Sequence, residues 1–267
     1  MNKCLITKLK GIVDNDTLLH LNETRFVLEN KKESLQEMRI QCNGVVLYKS
    51  NVPIYFDRSL VSEYQPTDSE ATVTIGVPAN QKVTISIYAN TRVIRQLWIN
   101  QGVELNFNTT NIEGKCSIER LYCNANAILD IDNSIFSSAI VLQNQFGKWS
   151  GHLSNLSSTI QEIQAVGGGN LIKGSLSDIK STSITRIWVN YAPNISGSIE
   201  DFVKSQIAKG RTEGTVDIMM NNAVLTYNGN RATRVSVNFT DTGATVSGTD
   251  IQTGTYTKST DTWVYAS

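Results

Sequence analysis

A short pattern of apolar and polar positions recurs along the middle of the chain. In its clearest form it runs apolar, two variable residues, apolar, aromatic, apolar and asparagine, as in IRQLWIN at 94–100 and SITRIWVN at 183–190. Apolar residues on either side of one outward residue predict a short strand with one buried face. We therefore predict that the chain repeats one small β-unit. Other copies are SIERLYCN at 117–124 and the weaker IVLQN at 140–144, IQEIQAV at 160–166 and VDIMMN at 216–221.

A second pattern follows the strands and is built around a glycine. Apolar residues stand two positions before and two positions after Gly151, Gly174 and Gly197, which are 23 residues apart, and Gly114 with Cys116 begins a fourth copy. A period in the low twenties predicts stacked units, because each unit is too small to bury its own apolar face. Glycine lets the backbone turn where a Cβ would obstruct it.

Together the two patterns resemble the leucine-rich repeat, whose consensus is LxxLxLxxNxLxGxIPxxL. The stretch 184–189 (ITRIWV) matches LxxLxL, and 195–199 (ISGSI) matches LxGxI. Asn190 departs from the consensus, because it follows the strand directly rather than three residues later. The resemblance implies an irregular leucine-rich-repeat-like solenoid over residues 93–222, with a helical turn at 199–209. A β-sandwich whose strands look alike by chance is the alternative.

Before the repeats, two pairs of strands are predicted. Alternating apolar residues predict strands at 71–77 and 83–87, joined by a hairpin-like turn. Asn43-Gly44, a favoured tight-turn dipeptide, predicts a turn between strands at 37–42 and 45–48. These strands indicate a β-sandwich-like domain in this part of the chain.

We therefore predict a mainly β protein with three parts. Residues 1–92 are an N-terminal β-sandwich-like domain that caps or anchors the solenoid, because an uncapped end would expose apolar core. Residues 93–222 are the solenoid, and residues 223–267 are a small C-terminal β cap or oligomerisation segment. The charged stretch 29–37 predicts a solvated turn or a short helix. Strands predicted in the last part are 224–227, 234–239, 245–247, 255–257 and 262–265, with a turn at Asn228-Gly229.

Charge and composition argue against some partners. Lys and Arg total 24, as do Asp and Glu, so the net charge gives no electrostatic reason to bind nucleic acid or an anionic membrane. No stretch approaches the ~20 apolar residues of a membrane span. The N-terminus, MNKCLITKLKGIVDND, shows no secretory signal, so we expect synthesis and assembly in a cytoplasm.

No known catalytic motif occurs in the sequence. Gly167-Gly168-Gly169 lacks the Lys-Ser/Thr of a phosphate-binding loop and predicts a flexible turn. Asp130 and Asp132 could bind calcium, but two acids without a further ligand pattern more often form a polar turn. We expect no metal, no cofactor and no enzymatic activity.

The cysteines and histidines give no metal-binding pattern. None of the four cysteines forms a CxxC pair, and His20 and His152 are far apart in the sequence. Cys116 and Cys123 fall on apolar positions of the repeat, so we predict that they are small core residues rather than redox-active groups.

The outward positions of the predicted strands form the most informative surface. Clustered exposed aromatic residues usually mark contact surfaces, so we predict protein contact, including self-contact. Carbohydrate stacking on Trp98 and Trp188 is the alternative. The outward row is Trp98, Tyr122, Val141, Gln164, Trp188 and Met219, with Asn100, Asn124 and Asn190 on one side and Gln96, Arg120, Glu162, Arg186 and Asp217 on the other.

The start of the chain, MNKCLITKLKGIVDNDTLLHLNE, and the glycine-turn repeats resemble proteins of crAss-like phages of gut Bacteroidales and related bacterial genes. The resemblance implies a non-enzymatic virion structural protein, a head fibre or capsid decoration protein. It would be a homodimer or homotrimer that contacts other capsid or tail proteins. Two alternatives stay open. One is a receptor-binding adhesin of a head or tail fibre that recognises a host surface glycan or protein, and the other is a bacterial surface leucine-rich-repeat protein.

Overall fold

The computed structural model of the chain describes residues 22–44, 46–89, 91, 93–100, 102–108, 117–124 and 128–266. Strands make up 55% of it, and the described residues contain one α-helix, which confirms the predicted mainly β class. The predictions for the chain start, His20, Gly114 and Cys116 lie outside the described residues.

By their internal contacts, residues 1–127 and 128–267 form two compact units, each described by itself. This division differs from the three predicted parts, which stay a prediction. In the part of the chain that the structure describes, no helix is long and apolar enough to cross a membrane.

The described strands of the first unit are β1 (Asn22–Asn30), β2 (Gln36–Cys42), β3 (Val46–Phe56), β4 (Ser59–Tyr64), β5 (Thr72–Val77), β6 (Lys82–Ala89), β7 (Val93–Ile99), β8 (Val103–Asn108) and β9 (Ser117–Cys123). Within this unit they pair antiparallel, except for the parallel pair β7–β9. Two runs of strands share β3, whose first half pairs with β6 and whose end pairs with β5. One run is β8–β1–β6–β3 and the other is β3–β5–β2–β7–β9, with β4 beside β3.

Both hairpins predicted in this unit are wrong, although the strands themselves are present. In the described part of the chain β5 pairs with β2 and β3, whereas β6 pairs with β1 and β3. Likewise, β2 and β3 flank Asn43-Gly44 without pairing with each other. Alternation identifies a buried strand face, but the pairing partner depends on contacts between distant segments. The solvated turn predicted at 29–37 is confirmed only for residues 31–35, which are exposed and lie between β1 and β2. Residues 29–30 end β1, where Asn30 is buried, and residues 36–37 begin β2.

The described strands of the second unit are β10 (Ile128–Asp130), β11 (Val141–Asn144), β12 (Lys148–His152), β13 (Glu162–Ala165), β14 (Leu171–Ser175), β15 (Arg186–Val189), β16 (Ile195–Ser198), β17 (Gly214–Met220), β18 (Val224–Tyr227), β19 (Asn230–Arg231), β20 (Arg234–Thr240), β21 (Gly243–Gly248), β22 (Gly254–Thr257) and β23 (Thr262–Tyr265). From β10 to β18 they alternate along the chain between two ladders. In the first ladder β11, β13, β15 and β17 pair in parallel, and β20 to β23 continue it antiparallel. In the second, β10, β12, β14, β16 and β18 pair in parallel, and β19 ends it with an antiparallel pair.

We call one first-ladder strand and the second-ladder strand that follows it a rung. Ile163, Ile187 and Ile218 lie in register on successive strands and are fully or almost fully buried. Leu176 and Ile199, which follow second-ladder strands, are also fully buried. The inward positions predicted for these strands are therefore buried.

The glycines of the repeat occupy backbone conformations that other residues rarely adopt. Gly151, Gly174 and Gly197 have φ angles of 103°, 114° and 118°. A Cβ on Gly174 would lie 2.8 Å from Cε1 of His152, and one on Gly197 would lie 2.6 Å from Oγ of Ser175. The predicted reason for these glycines is confirmed, because the rung before fills the space that a side chain would need.

The residue after each of these glycines caps the N-terminus of a helix. His152 and Ser175 cap the 3-10 helices Leu153–Asn155 and Leu176–Asp178, and a third 3-10 helix spans Ser134–Phe136. Ser198 accepts a hydrogen bond at 2.9 Å from the backbone N of Asp201 and begins α1 (Ile199–Ala208). This helix confirms the predicted helical turn.

The strands predicted after residue 223 are all present. β18 turns into β19 through Asn228 and Gly229, whose φ angles of 47° and 72° suit a tight hairpin turn. The following strand, β20, pairs with β17 and β21 rather than with β18. The C-terminal strands therefore extend the first ladder.

Candidate contact surface

The outward row predicted for the repeat strands is present in the second unit, with one correction. Gln164, Trp188 and Met219 lie in register on β13, β15 and β17. The residue of β11 in register with Gln164 is Gln143, so the prediction of Val141 is wrong by two positions. Val141 is instead in register with Glu162, on the neighbouring row.

Trp188 is held by charged neighbours. The guanidinium carbon of Arg186 lies 4.7 Å from the centre of the Trp188 ring. Nη1 of Arg186 lies 3.3 Å from Oε2 of Glu162, and Nε2 of Gln164 donates to the same oxygen at 3.2 Å. A cation over an indole face contributes about 0.5–1 kcal/mol at such a half-exposed site. These contacts order a half-buried aromatic side chain that would otherwise sample several rotamers.

A cleft of about 420 Å³ opens beside Trp188. Met219 lines one part of it, and Arg234 and Ser247 from the antiparallel strands line another. An aromatic face, a flexible thioether and polar side chains therefore converge on one concave surface. We refer to Trp188, Arg186, Met219 and the cleft as the Trp188 cluster.

A separate aromatic pair lies in the first unit. Trp98 and Tyr122 are in register on β7 and β9, and their rings stack with centres 6.0 Å apart and an angle of 14°. The guanidinium carbon of Arg39, in register with Trp98 on β2, lies 5.4 Å from the Trp98 ring. Arg120 is in register with Gln96 on the neighbouring row. We therefore describe two clusters, one in each unit.

The predicted asparagine row has mixed roles. Asn100 is exposed and Asn124 is half-buried. The side-chain nitrogen of Asn190 donates to the carbonyl oxygen of Val166 at 3.3 Å, and its side-chain oxygen accepts from Asn221 at 3.2 Å. Asn190 therefore links neighbouring rungs at the edge of the row.

The sequence patterns give no sign of one structurally important asparagine. Asn170 follows the three glycines, is 1% exposed, and accepts a hydrogen bond at 2.8 Å from the backbone N of Trp149. Its side-chain nitrogen lies 2.6 Å from the carbonyl oxygen of Asn190 on the next rung. Its place in a glycine-rich turn gives no signal of burial, because asparagine is common in exposed turns.

The remaining polar candidates have structural partners. Oδ1 of Asp132 accepts hydrogen bonds from the backbone N of His152 at 2.8 Å and from Asn155 at 3.0 Å. Among the described residues no group of three or more His, Cys, Asp or Glu side chains could hold a metal ion. Cys42 and Cys123 are buried, and neither forms a disulfide.

Comparisons with protein-family models, with curated proteins and with solved structures find no match. The geometry of the two clusters is therefore the feature of this chain that bears on its function.

Proposed function

We propose that this protein is a non-enzymatic structural component of a phage virion, a head fibre or capsid decoration protein that acts through protein–protein contacts. The observation that carries the proposal is the Trp188 cluster on the outward face of the first ladder. Tryptophan, arginine and methionine are enriched where protein interfaces concentrate their binding energy. The crAss-like resemblance stated above supplies the virion location, with the protein itself and other capsid or tail proteins as partners.

The finer fold is part of the same proposal. Residues 93–222 form an irregular leucine-rich-repeat-like solenoid between a sandwich-like N-terminal domain and a C-terminal β segment. Support comes from the two parallel ladders, the glycine turns at Gly151, Gly174 and Gly197, and the capped helical turns that follow them. A rigid stack of rungs presents side chains at fixed spacing, which suits a display or spacer element.

Solution mass tests the contact role. We expect wild-type protein to be a dimer or trimer by light scattering, and Trp98→Ala/Trp188→Ala to be a monomer. Phe146→Ala is the matched control, because Phe146 is 51% exposed and lies in a turn away from the outward row. It should keep the wild-type mass. An oligomer that is indifferent to the double substitution would contradict self-contact through these aromatics.

Particle composition tests the virion role separately. Antibodies raised against the purified chain should label intact particles of the phage that encodes it. If purified particles lack the protein, the virion role is wrong, whatever the oligomeric state.

The cleft beside Trp188 favours a second candidate function, a receptor-binding adhesin. Sugar rings stack on tryptophan faces, and Arg234 and Ser247 would offer hydrogen bonds to hydroxyl groups. In that case Trp188→Ala should abolish binding to host cells without unfolding the protein. Binding that survives the substitution would exclude the cleft as the receptor site.

A further inference from the structure

The last strand of the first ladder has one open edge. β23 pairs antiparallel with β22, and in the part of the chain that the structure describes it has no second strand partner. Val264, in the middle of β23, is 67% exposed. An open edge presents unpaired backbone groups that another extended strand can bind.

The hydrogen-bond register shows which groups are open. The backbone N of Ala266 donates to the carbonyl oxygen of Thr253 at 2.8 Å, and Tyr265 is the register partner of Gly254. In an antiparallel pair the bonded residues alternate along each strand. Val264 therefore directs its N–H and C=O toward β22, whereas Trp263 and Tyr265 direct theirs away from the sheet.

The inner face of β23 is firmly packed. The rings of Trp263 and Tyr265 lie 6.0 Å apart and both meet Tyr227 edge-on, at 5.9 Å and 5.6 Å. The Tyr265 hydroxyl also donates to Oε1 of Glu200 at 3.1 Å. The edge is therefore held in an extended conformation before any partner arrives, which lowers the entropic cost of pairing.

β23 is short, at four residues, but carries none of the side chains that usually protect a sheet edge. Residues 262–265 include no proline, no lysine and no acid, and their pairing with β22 shows no bulge. The neighbouring acid in the sequence, Asp261, is already paired with Lys204 at 2.7 Å.

We propose that β23 pairs antiparallel with β23 of a second copy of this chain, about a two-fold axis at Val264. In this register Trp263 of one copy exchanges backbone hydrogen bonds with Tyr265 of the other, and the two-fold axis repeats this pair on the other side of Val264. Val264 of one copy lies opposite Val264 of the other, and no charged side chain faces the same side chain of the other copy. The edge is therefore self-complementary, as an isologous interface requires. This surface is separate from the Trp188 cluster, so the inference goes beyond the proposed function.

The contact is short, and its affinity should reflect that. Stable interfaces bury about 1,200–2,000 Å² in total, far more than one four-residue strand pair provides. We therefore expect this contact, unlike the one proposed for the Trp188 cluster, to form only as protein concentration rises from about 10 μM to about 1 mM.

Sedimentation equilibrium over that range, with charge variants at position 264, tests the register. Val264→Lys and Val264→Glu should each raise the dimer dissociation constant at least about tenfold, because like charges then face each other. Mixing the two variants should restore a dimer. Thr255→Lys is the matched control, since Thr255 is exposed and is the register partner of Val264 on β22, one strand inside the edge. It should dimerise like the wild type.

Amide hydrogen exchange of the wild type needs no variant. The amides of Trp263 and Tyr265 should gain protection as the concentration rises. The proposal is overturned if the wild type stays monomeric throughout, if it pairs only with another protein, if Val264→Lys leaves the dimer intact, or if these two amides gain no protection. An oligomer broken by Trp188→Ala but not by Val264→Lys would support contact through the Trp188 cluster and refute pairing through β23. An oligomer broken by Val264→Lys but not by Trp188→Ala would support pairing through β23 and refute contact through the Trp188 cluster.

Discussion

The buried amide of Asn170 offers a sharp test of how the rungs are held together. Its side-chain oxygen accepts from the backbone N of Trp149, and its side-chain nitrogen lies 2.9 Å from the carbonyl oxygens of Ala165 and Gly167 and 2.6 Å from that of Asn190. One side chain thus contacts backbone of three successive rungs. Replacing Asn170 by alanine removes all of these contacts at once.

The expected cost follows from the groups left behind. The carbonyl of Ala165 keeps a hydrogen bond from the backbone N of Asn190 at 2.9 Å, so it should contribute little. The N–H of Trp149, whose residue is fully buried, and the buried carbonyl of Gly167 lose this partner. The carbonyl of Asn190 also loses it, but that contact is only partly buried, so water can replace it. Each buried group without a partner costs about 1–3 kcal/mol, so the two buried groups should lower the free energy of unfolding of Asn170→Ala by about 2–6 kcal/mol.

Urea denaturation followed by far-ultraviolet circular dichroism measures this loss. Asn190→Ala is the control, because its side chain makes two exposed contacts longer than 3 Å, and we expect a loss below about 1 kcal/mol. If Asn170→Ala unfolds within about 0.5 kcal/mol of the wild type, the amide does not hold the rungs together and the reasoning fails.

Three further predictions concern the turns and the titratable groups. Gly174→Ala should destabilise the protein by about 1–3 kcal/mol in thermal unfolding, because its φ is 114° and the added Cβ would meet His152. Gly210→Ala is the control: its φ is 94°, but no atom lies near the added Cβ, so the loss of stability should be smaller. Lys204 and the Tyr256 hydroxyl lower the pKa of Asp261, so the ionised carboxylate stabilises the fold above about pH 4, and this stabilisation is lost as the pH falls through the lowered pKa. Amide hydrogen exchange in β22 and β23 should therefore accelerate as the pH falls through that value. Asp261→Asn should remove this pH dependence of exchange. The hydrogen bond to Asp57 raises the pKa of Tyr64 to about 12, and spectrophotometric titration should show that value fall in Asp57→Asn.

Strand positions were predictable in both units, but strand partners were not. The strands at 71–77 and 83–87 follow from alternation alone, because a half-buried strand needs only local apolar spacing. Their partners are set by distant segments, such as β1 for β6, and two neighbours in sequence provide no information about that choice. The repeat strands were placed better, because parallel stacking of like units imposes the same register on each copy.

The contact surface was predicted where a copy of the repeat was complete. Trp188, in the full pattern, lies where expected, whereas the weaker copy IVLQN led to Val141. That copy also ends differently, because Asn144 is fully buried and in register with Ala165 rather than on the exposed asparagine row. An asparagine that faces inward cannot be distinguished by sequence from one that faces solvent, since only the surrounding backbone gives it partners.

The fit between each turn glycine and the rung before it bears on how such a chain can change length. His152 fills the space beside Gly174, and Ser175 fills the space beside Gly197, so both glycines pack against the residue that caps the helix of the rung before. An in-frame duplication or loss of one 23-residue period keeps this contact between each glycine and the preceding rung. The reach of the stack can thus be adjusted in steps of about 4.8 Å, the spacing of hydrogen-bonded strands, without a new core.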